Sequence, residues 1–471
     1  MILDLLENGN PSRLALAVPG GGPKFTYDQL RAQVNWLAHE LRQAGLGRHD
    51  RIAMALPNGI EMIVSFLASS MVGTAAPLNP AYTRDEFKFY LEDTGARALI
   101  LPRQNTEEAR AAAGDNVLII EADLDSEGRV QFSSAHNRAA ARTGNDPSPE
   151  NIALILHTSG TTSRPKRVPL SHANLMTSAR NVADTYKLTP DDVSLCVMPL
   201  FHVHGLVAST LATFFTGGTV VVPLKFNPLS FWSTVKEHRA TWYSAVPTIH
   251  QVLLSRTKAG ARPVGAEYLR FVRSCSAALA PQTMVDIEER YGVPILEAYG
   301  MTEAAHQMAS NPLPPGATGE VSIKGPNVFS GYEGNNEANA ESFSNGWFRT
   351  GDQGYLDHEG YLTLVGRLKE LINRGGEKIS PREIDEALMT HSAVDEAVCF
   401  GIPDRVYGEE VAAAVVLKNA ATEKELIAHC HSSLADFKCP KHIYIVEAIP
   451  RTATGKIQRR NVAAEITDAK R

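Results

Sequence analysis

Residues 152–166 read IALILHTSGTTSRPK. Ile152 to Leu156 is a short apolar run, the pattern of a buried strand. Thr158-Ser159-Gly160-Thr161-Thr162-Ser163-Arg164-Pro165-Lys166 follows it directly. Small hydroxyl residues and a glycine let the backbone come close to an anion. Hydroxyls and amides supply donors, and Lys166 supplies charge. The combination suits a triphosphate. It is not the P-loop pattern, because no Gly-Lys-Ser/Thr closes it. A polar surface loop of the same composition is the plain alternative, so the flanking sequence has to decide.

Working outward, the flanks alternate helix and strand. Thr26 opens a helix with Gln29 placed to complete a capping box. Leu30, Val34, Leu37 and Leu41 follow at helical spacing until Gly45. Arg51–Leu56 reads as a strand, Ile60–Met71 as a mostly apolar and therefore buried helix, Arg84–Thr94 as a helix and Ala98–Leu101 as a strand. The alternation resumes at Val193, Thr219, Trp242 and Phe271. This is the pattern of a layered α/β architecture with largely parallel sheets. After about Gly316 the texture changes. GATGEVSIKGPNVFSGY and GWFRTGDQGYLDHEGYLTLVGR read as β-hairpins, with Asp357 to Gly360 as one turn. After Lys369 a compact α+β unit follows. Ser380-Pro381 starts a helix there, with Glu383 near its third position. Strands follow at Val394–Phe400 and Val411–Leu417, then a helix at Thr422–Leu434 and a strand at Ile443–Val446. The expected division is 1–368, with a β-rich part at about 316–366, and 369–471.

Composition narrows the class. The 471 residues allow more than one domain. Net charge is −6 with both signs interspersed, so neither a nucleic-acid groove nor a membrane-surface helix is indicated. The five cysteines are odd in number and lack CxxC spacing, which argues for reduced thiols rather than disulfides or zinc. The start, MILDLLENGNPSR, lacks the basic and apolar regions of a secretory signal. The Ala-Lys-Arg end is not the Ser-Lys-Leu address. A cytoplasmic location is expected, with a peroxisomal one left open; a monomer or homodimer is expected.

Three further motifs carry chemistry. Tyr299-Gly300-Met301-Thr302-Glu303 follows the strand Pro294 to Ala298, where ligands of open α/β sheets sit. Glu303 could hold Mg²⁺ and Thr302 a phosphate oxygen. Thr350-Gly351-Asp352 with Gly366-Arg367 offers a carboxylate for ribose hydroxyls and an arginine to brace them; an Asx-turn and a solvated ion pair are the plain alternatives. Thr452-Ala453-Thr454-Gly455-Lys456 places a lysine on a glycine-bearing loop, which alone would be a solvated side chain.

In this order, the motifs resemble the adenylate-forming superfamily of acyl-CoA synthetases, luciferases and peptide-synthetase adenylation domains, from Phe25-Thr26-Tyr27 to Lys456. The resemblance implies a large N-terminal domain and a small mobile C-terminal domain with the active site between them. It implies ATP, Mg²⁺ and coenzyme A. By the same resemblance, Lys456 contacts the carboxylate and α-phosphate and Lys369 is the hinge. The Gly375-Gly376 loop covers the thiol tunnel. Asp352 and Arg367 hold ribose, and Thr302 and Glu303 take phosphate and metal. Ser276-Ala277-Ala278 and Glu297-Ala298-Tyr299, with Gly300 after them, flank adenine. In that family a further segment with a Gly-rich turn and a strand pair usually separates the equivalents of Pro315 and Gly316. Here NPLPP runs directly into GATGEV, so either the β-rich subdomain is trimmed or the sequence skips residues.

The acid pocket of the family lies near Pro199–Gly205, Val246–Thr248 and the residues after Glu303. His202, Ser276 and His306 fall there. Two histidines and a serine suit a short acid with a second carboxylate better than a fatty or aromatic one. YGMTEAAHQMASNPLPP, LINRGGEKISPREID and GKIQRR resemble the oxalate–CoA ligase branch. Oxalate is therefore the expected acid. The rivals are a medium-chain or aryl acyl-CoA ligase, a luciferase-like oxygenase, a carrier-loading adenylation domain, and a nucleotide- or RNA-binding protein that keeps the fold.

Overall fold

A computed structural model describes the chain except for residues 105, 135–146, 159–164, 259, 309–317, 453–454 and 469–471. The chain divides into two compact units. One comprises Met1–Ser276, Ile287–Met308 and Gly325–Ala340; the other comprises Ala277–Asp286, Ala309–Lys324 and Glu341–Arg471.

The first unit is built on two seven-stranded sheets. One runs in the order Ile295–Glu297, Phe271–Ser274, Trp242–Ala245, Val193–Leu195, Thr219–Val221, Leu14–Ala17, Lys24–Thr26. All its pairings are parallel except the last. The other runs Val130–Ser134, Leu118–Leu124, Ala98–Leu101, Arg51–Met54, Thr74–Pro77, Ile152–Thr158, Lys166–Ser171, parallel inside and antiparallel at both edges. Parallel strands covered on both faces read as apolar runs, and the strands at 98–101 and 242–245 are buried at every position. The helix Ile60–Val72 is likewise buried nearly all round. Thr26 caps the helix Tyr27–Gln43 with Gln29 in a reciprocal capping box.

The second unit holds a four-stranded antiparallel sheet over Gly319–Ile323, Phe343–Ser344, Trp347–Leu356 and Leu362–Arg367, and a five-stranded sheet over the C-terminal residues. Two local expectations are corrected here. GATGEVSIKGPNVFSGY is not a hairpin: Gly319–Ile323 pairs with Trp347–Leu356 instead, and Gly325 onward belongs to the other unit. Glycine and aromatic content marked a strand but not its partner. Glu383 does not complete a cap on the helix Pro381–Met389; it takes Lys438 Nζ at 2.7 Å, and the Ser380 hydroxyl donates to Val365 O. Asp357 to Gly360 forms the expected turn, with Gly360 N–H donating to Asp357 O. No helix among the described residues is long and apolar enough to cross a membrane.

After the strand Val193–Leu195, the chain enters a π-helical stretch, His204–Leu211, buried throughout. Such wide turns are rare and recur at functional sites. Gly205 makes this one possible: a Cβ there would meet Met198 O at 2.6 Å and Pro199 O at 2.5 Å. Burial pushes the Cys196 thiol up to about 11, so it stays protonated and donates to Gly205 O at 3.5 Å. We expect Gly205→Ala to force the backbone apart and cost about 1–3 kcal/mol of stability, read as a lower midpoint in chemical denaturation.

Candidate active site

Lys166 opens the strand Lys166–Ser171 and stands opposite Thr158 in the antiparallel ladder. Ser159, Gly160, Thr161 and Thr162 lie outside the described residues. The neighbour Arg167 fixes the base of this ladder. Its Nη1 donates to Asp93 O at 2.8 Å, and its Nε lies 3.3 Å from the Asp93 carboxylate, which also meets His157 Nε2 at 3.1 Å. Burial holds the His157 imidazole below its usual value, against the pull of Asp93.

The Lys166 ammonium sits 4.7 Å from the centre of the Tyr332 ring, a cation–π contact. The Tyr332 hydroxyl donates to Glu303 Oε1 at 2.8 Å. Tyr332 thus joins the lysine of the Thr158–Lys166 ladder to the carboxylate of the second motif. Nothing in the sequence linked them, because 166, 303 and 332 come together only through tertiary packing.

Glu303 is 6% exposed and lies in a 3₁₀ turn, Thr302–Ala304. Phe329 N–H donates to its carbonyl at 2.8 Å, and Ser178 Oγ donates to Ala305 O at 2.6 Å. Gly300 pairs with Gln307 across the short ladder that follows; a Cβ at 300 would lie 2.3 Å from His306 O. Among the described residues, no group of three or more His, Cys, Asp or Glu could cage a metal. A single buried carboxylate suits Mg²⁺, which keeps its waters and takes other ligands from phosphate oxygens. The donor set therefore fits this ion.

A second cluster lies beside that turn. His204 Nδ1 is 3.0 Å from Ser276 Oγ, and His204 Nε2 is 2.6 Å from Ser244 Oγ. The rings of His204 and His306 are 5.6 Å apart. His306 meets Arg273 Nη2 through Nδ1 at 3.4 Å and Cys275 Sγ through Nε2 at 3.5 Å. Ser276, Ala305 and His306 have φ of 73°, 50° and 103°. These are left-handed conformations that non-glycine residues adopt at a cost, and such strain collects at functional sites. Of the sequence candidates, Ser276 and His306 are brought together, with His204 between them. His202 stands two residues before the π-helical stretch, where its Nδ1 accepts from His204 N–H at 3.3 Å. Reasoning from sequence had His204 only as part of the Pro199–Gly205 stretch and chose His202 over it; it missed Ser244 and Arg273. The single arginine in the apolar strand FVRS was the available signal for the last.

The other candidates are placed as follows. Glu297 ends the strand Ile295–Glu297, and Ala298 and Tyr299 follow it; Ala277 and Ala278 are exposed. In the second unit, Asp352 and Arg367 face each other in the antiparallel ladder, and Arg367 Nε donates to Asp352 Oδ1 at 2.9 Å. Asp352 is buried while the Arg367 side chain is 51% exposed, so the pair presents its charge outward. The ladder shifts register just beyond them, near Val365, whose carbonyl accepts from Ser380. Gly375 and Gly376 have φ of 59° and 98° and form the tight turn between Ile372–Arg374 and Glu377–Ile379. Lys369 is exposed in a 3₁₀ turn, Leu368–Glu370. Lys456 closes a loop in which Thr452 N–H donates to Lys456 O at 2.8 Å.

A model of the AMP-binding enzyme family matches residues 7–311, and one of the AMP-binding enzyme C-terminal domain matches 383–456. A protein named probable CoA ligase CCL9, from Humulus lupulus, is 46% identical over 95% of this chain and 93% of its own. An oxalate–CoA ligase from Arabidopsis thaliana is 44% identical over 98% of this chain and 97% of its own. The alignment with the latter runs over 507 positions, more than this chain's 471 residues, so it includes residues this chain lacks. The crystal structure of ATP-bound MatB from Rhodopseudomonas palustris superposes with a TM-score of 0.88 at 29% identity, over 100% of this chain and 99% of that one. From the family match and these identities, the chain belongs to the AMP-binding enzyme family.

Proposed function

We propose that oxalate is the acid that this chain, an ATP-dependent acid–CoA ligase of the AMP-forming type, joins to coenzyme A. The observation that carries the choice of acid is the polar cluster of the buried His204 and His306 with the half-buried Ser276. A fatty or aromatic acid needs an apolar wall, and this cluster presents imidazoles and a hydroxyl instead. A short diacid pairs with them. The similarity to the Arabidopsis oxalate–CoA ligase supports the same choice.

The reaction has two steps. One carboxylate oxygen of the acid attacks the α-phosphorus of ATP and pyrophosphate leaves. The thiol of coenzyme A then attacks the carbonyl carbon and AMP leaves. Negative charge grows on the phosphate oxygens in the first step, so a positioned cation speeds it only if it binds the transition state more tightly than the ground state. Lys456 is assigned that role at the α-phosphate. The segment from Thr158 to Lys166 is assigned to the triphosphate, and Asp352 with Arg367 to the ribose. Ser276–Ala278 and Glu297–Gly300 are assigned to the adenine, and Thr302 with Glu303 to phosphate and magnesium. Bound there, Mg²⁺ would neutralise phosphate charge. Ser276 and His306 hold the acid, with His202 as a further contact. Gly375 and Gly376 leave room for the thiol arm, and Lys369 is the hinge between 1–368 and 369–471.

The test is ATP–pyrophosphate exchange on a panel of oxalate, malonate, octanoate and hydroxycinnamate. Oxalate is expected to give the highest kcat/KM. Exchange with octanoate or hydroxycinnamate but not oxalate overturns the proposal.

A further inference from the structure

We propose that Arg273 selects for a second negative charge on the acid, acting from the buried side of the cluster through Ser244, His204 and His306. The inference rests on reading this cluster as the acid site. Arg273 lies in the strand Phe271–Ser274 and is 0% exposed. A guanidinium is charged at every working pH. Buried arginines are ordinarily matched by a carboxylate. This one has no ion-pair partner among the described residues. Its Nε donates to Tyr186 Oη at 2.9 Å, its Nη1 to Ser244 Oγ at 2.9 Å and its Nη2 to His306 Nδ1 at 3.4 Å. Its carbon centre lies 5.4 Å from the Tyr186 ring. A neutral side chain of the same volume would fill this place at lower cost. A charge kept unpaired in the interior gains its counter-ion only when an anion arrives, and two of the residues it touches, Ser244 and His306, belong to the acid cluster.

The direction of the hydrogen bonds makes the same point. A guanidinium can only donate. Ser244 Oγ accepts from it and spends its one proton on His204 Nε2, 2.6 Å away. That leaves the His204 proton on Nδ1, where it goes to Ser276 Oγ at 3.0 Å. The Ser276 hydroxyl is then left to donate onward. On the other arm, Arg273 occupies His306 Nδ1, so the His306 proton sits on Nε2. The first arm thus ends in a donor, the Ser276 hydroxyl; the second ends in the His306 Nε2–H, which faces the weakly accepting Cys275 Sγ at 3.5 Å. A carboxylate accepts with either oxygen and carries the opposite charge to Arg273, whereas an amide in its place is neutral and turns one of its two acceptors into N–H groups.

The experiment compares oxalate with oxamate, which replaces one carboxylate by a neutral amide of the same shape. Wild-type enzyme is expected to favour oxalate by about 100-fold or more in kcat/KM for pyrophosphate exchange. Arg273→Met is expected to cut that ratio at least about tenfold with the KM for ATP little changed, and Arg273→Lys to restore most of it. Equal losses on both acids would leave the oxalate reading standing and overturn the role of Arg273. If wild type takes malonate but not oxalate, the oxalate reading falls, and the Arg273 ratio is then read on malonate against malonamate. If wild type prefers octanoate to every diacid, both fail. Should Arg273→Met not fold, Ser244→Ala cuts one arm and is expected to lower the ratio several-fold; an unchanged ratio there overturns the proposal.

Discussion

Lys456→Ala is expected to slow pyrophosphate exchange by about 100- to 1,000-fold, the usual loss when one positioned donor to a transition-state oxyanion is removed. The lysine is assigned to the first step alone. Thioester formation from a supplied acyl-adenylate is therefore expected to stay within a few-fold of wild type. The fold should tolerate the change. The loop is closed by backbone bonds, Thr452 N–H to Lys456 O and Gly455 N–H to Thr452 O, and by Lys456 N–H to Thr452 Oγ1 at 3.1 Å. None of these needs the ammonium. Exchange at the wild-type rate would remove the role given to this side chain, and equal loss in both half-reactions would point to a damaged loop instead.

The second large effect is expected at Glu303. Gln has the same shape and still accepts from the Tyr332 hydroxyl, so Glu303→Gln isolates the carboxylate charge. Exchange is expected to fall by about 100-fold or more, since the charge that would hold the cation is gone. Manganese titration followed by paramagnetic resonance, with a non-hydrolysable ATP analogue present, is expected to show weaker binding than in wild type. Tyr332→Phe keeps the charge and removes the hydroxyl that donates to it; a loss of about tenfold is expected. Manganese bound as tightly by Glu303→Gln as by wild type would take the metal away from this residue.

Much of the α/β frame was legible because its signals are local. The helix Arg84–Thr94 has a capping box at Thr83 and Glu86 and a left-handed Gly95, and the strand Ala98–Leu101 is a short apolar run. The Asp352–Arg367 pair was legible as two motifs, and the register of one hairpin brought them face to face. The proposed acid cluster was legible only in part. Phe-His-Val-His puts two histidines two residues apart, and the choice between them depends on a π-helical turn whose wide spacing has no sequence period to mark it. Arg273 and Ser244 sit in apolar strands that read as core. Their meaning comes from what lies across the sheet, 29 residues apart in sequence and 2.9 Å apart in space.

The Asp352–Arg367 ladder also says where this protein can be altered freely. Successive strand residues face opposite sides, so one residue added within Trp347–Leu356 or Leu362–Arg367 would turn every later side chain to the wrong face. The tip at 357–361 is under no such constraint: His358, Glu359 and Gly360 are exposed, and the strands are paired on either side of it. A reporter peptide or a fluorophore attachment residue grafted there would sit on the same hairpin as the proposed ribose-holding pair while leaving its alignment untouched.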